Sequence, residues 1–162
     1  MATYEKECAA LAQLCKKCCG LCCRNGSNIT LSQREFNALQ KYEFEKGVLS
    51  SPHGDLNTIQ TPPHGWCDFI GEGDSVGCIL PEDMKPLSCR LFPLAFVIED
   101  DNVLFYLSGF CPYIEEVKEL KTWIKETITT AKKELETWTV SEKLCRTYWH
   151  RRYGHLIPLD EY

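Results

Sequence analysis

The sequence has no run approaching the roughly 18 apolar residues of a membrane-spanning helix, so bilayer insertion is not expected. Nor does it open like a secretory leader. Met1-Ala2-Thr3-Tyr4-Glu5-Lys6-Glu7-Cys8 offers no positive segment followed by an apolar stretch. An excess of basic residues is also missing. The formal charge is −5 and the pI is near 5.4, which argues against general binding to nucleic acid, because that needs a basic footprint. One basic cluster, Arg146 with His150, Arg151 and Arg152, reads as a solvated helix end. There is no internal repeat, low-complexity linker, catalytic triad or phosphate loop. Paired histidines are absent too. His53 and His64 lie in a Pro-rich loop, and His150 and His155 lie in the C-terminal part.

Cysteine is what the chain has in abundance, with 11 among 162 residues. Hydrophobic residues make up 44% and charged residues 25%, so a chain of this length can bury a core without covalent staples. An odd count leaves one thiol over in any disulfide scheme. These features point to a reduced, cytoplasmic protein whose cysteines bind metal rather than one another.

The first block is Cys15-Lys16-Lys17-Cys18-Cys19-Gly20-Leu21-Cys22-Cys23. Cys15/Cys18 and Cys19/Cys22 each form a Cys-x-x-Cys step, which lets two sulfurs reach one metal from a tight turn. Gly20 lets the backbone fold closely there, and its amide could donate to a cluster sulfur. The second block is dispersed: Cys67, Cys78, Cys89 and Cys111. Each stands near an expected element boundary, where irregular backbone can aim side chains at a common point. Cys111 precedes Pro112, and Pro beside a ligand shields sulfur from water. Cys8 and Cys145 have no metal-type spacing and read as packing residues.

The expected elements form one α+β domain over residues 1–162, mostly helical with a small β-hairpin. Residues 15–112 form the metal-binding region, and the helices of 113–154 pack on it. A first helix is predicted over residues 3–18. A second begins near Ser32, where Ser32 and Glu35 make a capping-box pair, and Gly47 suits its stop. Phe36, Leu39 and Tyr42 form its buried stripe. Residues 50–66 read as loop. Segments 94–99 and 103–107 flank Asp100-Asp101-Asn102 as a hairpin. One long amphipathic helix is predicted from Tyr113 to Trp138, with a last helix from Ser141 to near Gly154 and an irregular tail beyond.

The ordered motifs resemble the YkgJ-like cysteine-cluster family, a zinc- or iron-chelating domain. Cys19-Gly20-Leu21-Cys22-Cys23 looks like the end of its first block. Cys67-Asp68-Phe69-Ile70 and Gly77-Cys78-Ile79-Leu80 look like its next two pieces. Lys85-Pro86-Leu87-Ser88-Cys89-Arg90-Leu91-Phe92-Pro93 looks like its last. The resemblance covers residues 15 to about 112 and departs from the family pattern twice. Lys16 occupies the place of the block's first cysteine, so Cys15 or Cys18 substitutes for it. Lys85 stands where Arg is usual, which keeps the charge and loses the planar fork. What the resemblance implies is a metal site, without a settled metal or activity.

The family-like positions supply about eight thiolates, and Cys111 a further one, against the four ligands of one zinc ion or cubane cluster. The surplus suggests two sites, one polynuclear site or spare redox thiols. The two cysteine blocks are expected to converge. The all-sulfur inventory and the Cys-Pro element place an iron–sulfur cluster ahead of zinc. Arg90, beside Cys89, is the candidate for contact with the bound group. The leading functional reading is an accessory or electron-transfer protein with a protein partner. One alternative is a cluster-dependent enzyme, with Arg90, Asp68, Glu72, Asp74 and Tyr106 lining a pocket. The other is a redox or metal sensor.

Overall fold

A computed structural model describes residues 2–21, 29–46, 58–59, 67, 69, 78–99, 102–139 and 156–159. The elements in chain order are α1 (Ala2–Lys17), β1 (Ile29–Thr30), α2 (Gln33–Lys46), β2 (Thr58–Ile59), a 3-10 turn (Glu82–Met84), α3 (Leu87–Leu91), β3 (Leu94–Glu99), β4 (Asn102–Ser108), α4 (Ile114–Lys118), α5 (Lys121–Leu135) and β5 (Leu156–Pro158). The fold is α+β, with five α-helices and two small antiparallel sheets, β1-β2 and β3-β4-β5, among the described residues. No described helix is long and apolar enough to cross a membrane. The chain divides into two compact units: Met1–Cys19 with Leu91–Tyr162, and Gly20–Arg90.

In the first unit β3 and β4 form the expected hairpin, in register from Leu94 opposite Leu107 to Glu99 opposite Asn102. Alternation along β3 and β4 sends Leu94, Phe96 and Leu107 into the core, and Phe96 is fully buried. Trp138 meets Phe96 edge-on at 5.9 Å, and Phe105 lies 6.3 Å from Phe96. Helix α5 buries Trp123, Ile124, Thr127, Ile128, Ala131 and Leu135, the inward stripe of a 3.6-residue period. Helix α1 lies against α5 and matches the predicted first helix, yet none of its side chains is fully buried.

Two expectations for this unit need correction. The single helix predicted over 113–138 is two helices, α4 and α5. The chain tightens at Glu119 and Leu120, whose amides donate to the carbonyls of Glu116 and Val117 at 3.3 and 3.0 Å. Leu120 then leaves helical geometry at ψ 57°. The new helix start exposes amides without intrahelical acceptors. One of them, Trp123 N–H, donates to Glu7 Oε2 at 2.6 Å. A carboxylate from α1 thus caps α5 from 116 residues away, which no local pattern announces. The tail expected to be irregular contributes β5, which pairs with β4 from Tyr106–Pro158 to Ser108–Leu156. Pro158 has no N–H and suits the end of such a strand. The helix predicted from Ser141 lies outside the described residues.

In the second unit α2 begins as predicted. Ser32 N–H donates to Glu35 Oε2 at 2.7 Å, and Glu35 N–H donates to Ser32 Oγ at 3.2 Å. Leu39, fully buried, packs with Leu31, Cys67, Phe69 and Leu80, and Phe36 and Cys78 border this cluster. The side chain of Tyr42 and the stop at Gly47 lie outside what is described. Thr58 and Ile59, within the segment predicted as loop, pair with Thr30 and Ile29.

Candidate metal centre

The second unit holds Cys67, Cys78 and Cys89 among its described residues. Ile79 N–H donates to Phe69 O at 2.8 Å, which lays the segment after Cys67 beside the segment after Cys78. Cys67 is buried and Cys78 half-buried in the same apolar cluster. Cys89 sits on α3, its N–H donating to Pro86 O at 2.8 Å. The Lys85 ammonium stands near both remaining thiols. It bonds Glu82 Oε2 at 2.6 Å, and its pKa lies above the usual lysine range. The Glu82 bond is the largest cause. The charges of Cys78 and Cys89 act in the same direction, against the opposing effect of burial. The Lys85 cation therefore lies in the field of two thiols.

Arg90, the candidate for contact with a bound group, lies on α3 beside Cys89. Its Nε donates to Lys85 O at 3.0 Å and so fastens the turn that leads into α3. Asp68, Glu72 and Asp74 lie outside the described residues. Tyr106 lies in the sheet, between Ala95 and Pro158.

The first unit holds Cys15, Cys18, Cys19 and Cys111. Cys15 is exposed near the end of α1. Cys18 Sγ donates to Cys15 O at 3.2 Å, and Cys19 Sγ reaches Lys17 O only at 3.8 Å. The helix closes with Cys18 N–H on Leu14 O and Cys19 N–H on Lys16 O. Cys19 and Gly20 are both left-handed, at φ 52° and 68°. Gly20 adopts this conformation without penalty, whereas Cys19 does so at a steric cost. Cys111 is buried in the turn after β4, where its N–H donates to Ser108 O at 3.1 Å. Burial raises the Cys111 thiol above its ordinary pKa. The Tyr113 backbone amide lowers it, and the charge of Cys18 raises it. Cys18 and Cys111 are therefore electrostatic neighbours.

Cys22 and Cys23 lie outside the described residues, as do His53 and His64. Among the described residues, no three His, Cys, Asp or Glu side chains gather in a metal-holding arrangement. Within the units, Cys67 and Cys78 share one apolar cluster, Lys85 feels the charges of Cys78 and Cys89, and Cys111 feels that of Cys18. Sequence reasoning placed Lys85 in the motif that contains Cys89, but it did not identify Glu35 as part of this neighbourhood. The only signal for Glu35 was the capping box. No family model, curated protein or solved structure matches the chain.

Proposed function

We propose that this chain is a thiolate metal-binding protein, an accessory or electron-transfer component that carries an iron–sulfur cluster or, second, zinc. Its ligands are drawn from Cys15 or Cys18, Cys19, Cys22, Cys23, Cys67, Cys78, Cys89 and Cys111. The reading is supported chiefly by Cys67 and Cys78 sharing one apolar cluster, and by Lys85 lying in the electrostatic field of Cys78 and Cys89. The donor chemistry fits, because soft sulfur suits both zinc and iron–sulfur clusters. The apolar surroundings of Cys67 and Cys78 would limit water at a bound group. An iron–sulfur cluster would supply one-electron transfer, and a zinc ion structural cross-linking. The chain's own part is to hold thiolates, orient them and keep them dry. A protein that receives electrons or metal from this chain belongs to the same proposal.

The test is anaerobic purification followed by elemental analysis and a visible spectrum. Iron and acid-labile sulfide in matching amounts with broad visible absorbance would establish the cluster. Stoichiometric zinc in a colourless protein would select the second metal. Absence of both, or full retention after Cys67→Ser with Cys78→Ser, would refute the proposal.

A further inference from the structure

We propose that Glu35 is a positioning residue for the Cys89 thiol, a role that rests on the thiolate reading above. Glu35 uses both carboxylate oxygens on backbone amides. Oε2 accepts from Ser32 N–H at 2.7 Å and starts its own helix. Oε1 accepts from Leu87 N–H at 2.6 Å, across 52 residues of sequence. Leu87 is the first residue of α3, and Cys89 follows two residues later.

Helix α3 is five residues long, too short to hold its shape through its own hydrogen bonds. Three sets of bonds fasten it, two of them local to the turn. Pro86 O accepts from the amides of Cys89 and Arg90 at 2.8 and 3.0 Å. Lys85 O accepts from Arg90 Nε at 3.0 Å. The third fastening is Glu35, a charged acceptor that reaches the turn from a distant part of the sequence. Leu87 is buried, so removing that acceptor leaves its amide without water to replace it. The carboxylate therefore does two jobs. It caps α2, and it fixes the turn that carries Cys89 relative to the cluster containing Cys67 and Cys78.

Two substitutions separate these jobs. Glu35→Gln preserves the capping box, which accepts Gln as well as Glu. Gln turns one of the two acceptor oxygens into an NH2 donor; with its oxygen kept on Ser32 N–H, the NH2 faces Leu87 N–H and that bond is lost. Ser32→Ala weakens the cap of α2 and leaves the carboxylate on Leu87. Two readouts apply to the reduced, full-length chain. One is Co(II) titration followed by the thiolate–cobalt absorption. The other is the rate of iodoacetamide alkylation at each cysteine in the metal-free chain, read by mass spectrometry. Glu35→Gln is expected to weaken Co(II) binding about tenfold, as loss of an outer partner of a metal ligand does. It should also speed alkylation of Cys89 while Cys15 is unchanged. Ser32→Ala should leave both at wild-type values. Unchanged binding and alkylation in Glu35→Gln, or equal effects in both variants, would overturn the assignment. Failure of the wild-type chain to bind Co(II) would count against the thiolate reading, and the metal-free alkylation would still decide the role of Glu35.

Discussion

Replacing Glu7 with Ala should release α1 from α5. The Glu7 carboxylate accepts from Trp123 N–H at 2.6 Å, a charge-assisted bond at a helix N-terminus. Trp123 is 5% exposed, so its amide gains little from water once the acceptor is gone. Such a loss costs about 2 kcal/mol. Helix α1 has no fully buried side chain to offset it, and a free 16-residue helix is marginal in water. At about 1.4 kcal/mol per factor of ten, the opening equilibrium of α1 should shift about 30-fold. Hydrogen exchange read by mass spectrometry should show that acceleration across Ala2–Lys17, with β3 and β4 changed much less. Glu5→Ala is the control. Glu5 is exposed in the first turn of α1, and its loss should change exchange only slightly. Equal protection of α1 in the wild type and in Glu7→Ala would refute the reasoning, as would equal effects of Glu5→Ala and Glu7→Ala.

Tyr4 has its hydroxyl pKa raised above 10.0, first by burial and then by its hydrogen bond with Cys8. The folded state therefore keeps this proton after the unfolded chain has lost it. Stability from this group is intact below about pH 10 and falls as pH rises beyond it, and Tyr4→Phe should flatten that fall in chemical denaturation between pH 9 and 11. Trp138→Ala removes the edge contact with Phe96 and should cost about 3–5 kcal/mol, read as a lower denaturant midpoint at constant slope. Leu39→Ala opens the cluster around Cys67 and should cost about 2–5 kcal/mol, and alkylation of Cys67 should rise more than that of Cys111.

Local grammar carried much of the fold. Ser32 and Glu35 announce the start of α2 because both halves of the capping box are three residues apart and satisfy each other. The β3–β4 hairpin is legible from two β-rich runs around a turn-forming pair. Helix α1 is legible from its periodicity to within a residue at each end. The break at Leu120 was not legible. The apolar stripe runs across it without Gly or Pro, and the stabilising cap comes from Glu7 on another helix. Strand β5 was hidden for a related reason, since a three-residue strand exists only because β4 offers it an edge.

The candidate site divides in the same way. Each thiol could be picked out by spacing and context, but their grouping depends on long-range contacts such as Phe69 with Ile79. Glu35 shows how partial a local reading is. Its sequence signature describes only one of the two amides that it serves.

The left-handed backbone at Cys19 has a further consequence. Side-chain sterics make that conformation unfavourable for any residue with a Cβ, by roughly 1–2 kcal/mol, and glycine is the ordinary occupant after a helix end. The chain instead carries a glycine one position later, at Gly20, and keeps a sulfur where the backbone would relax without one. If Cys19 is a ligand, as proposed, conformational ease and thiol chemistry make opposite demands at position 19. A lineage relieved of the need for that thiol would drift there towards glycine or asparagine, gaining stability as it did so.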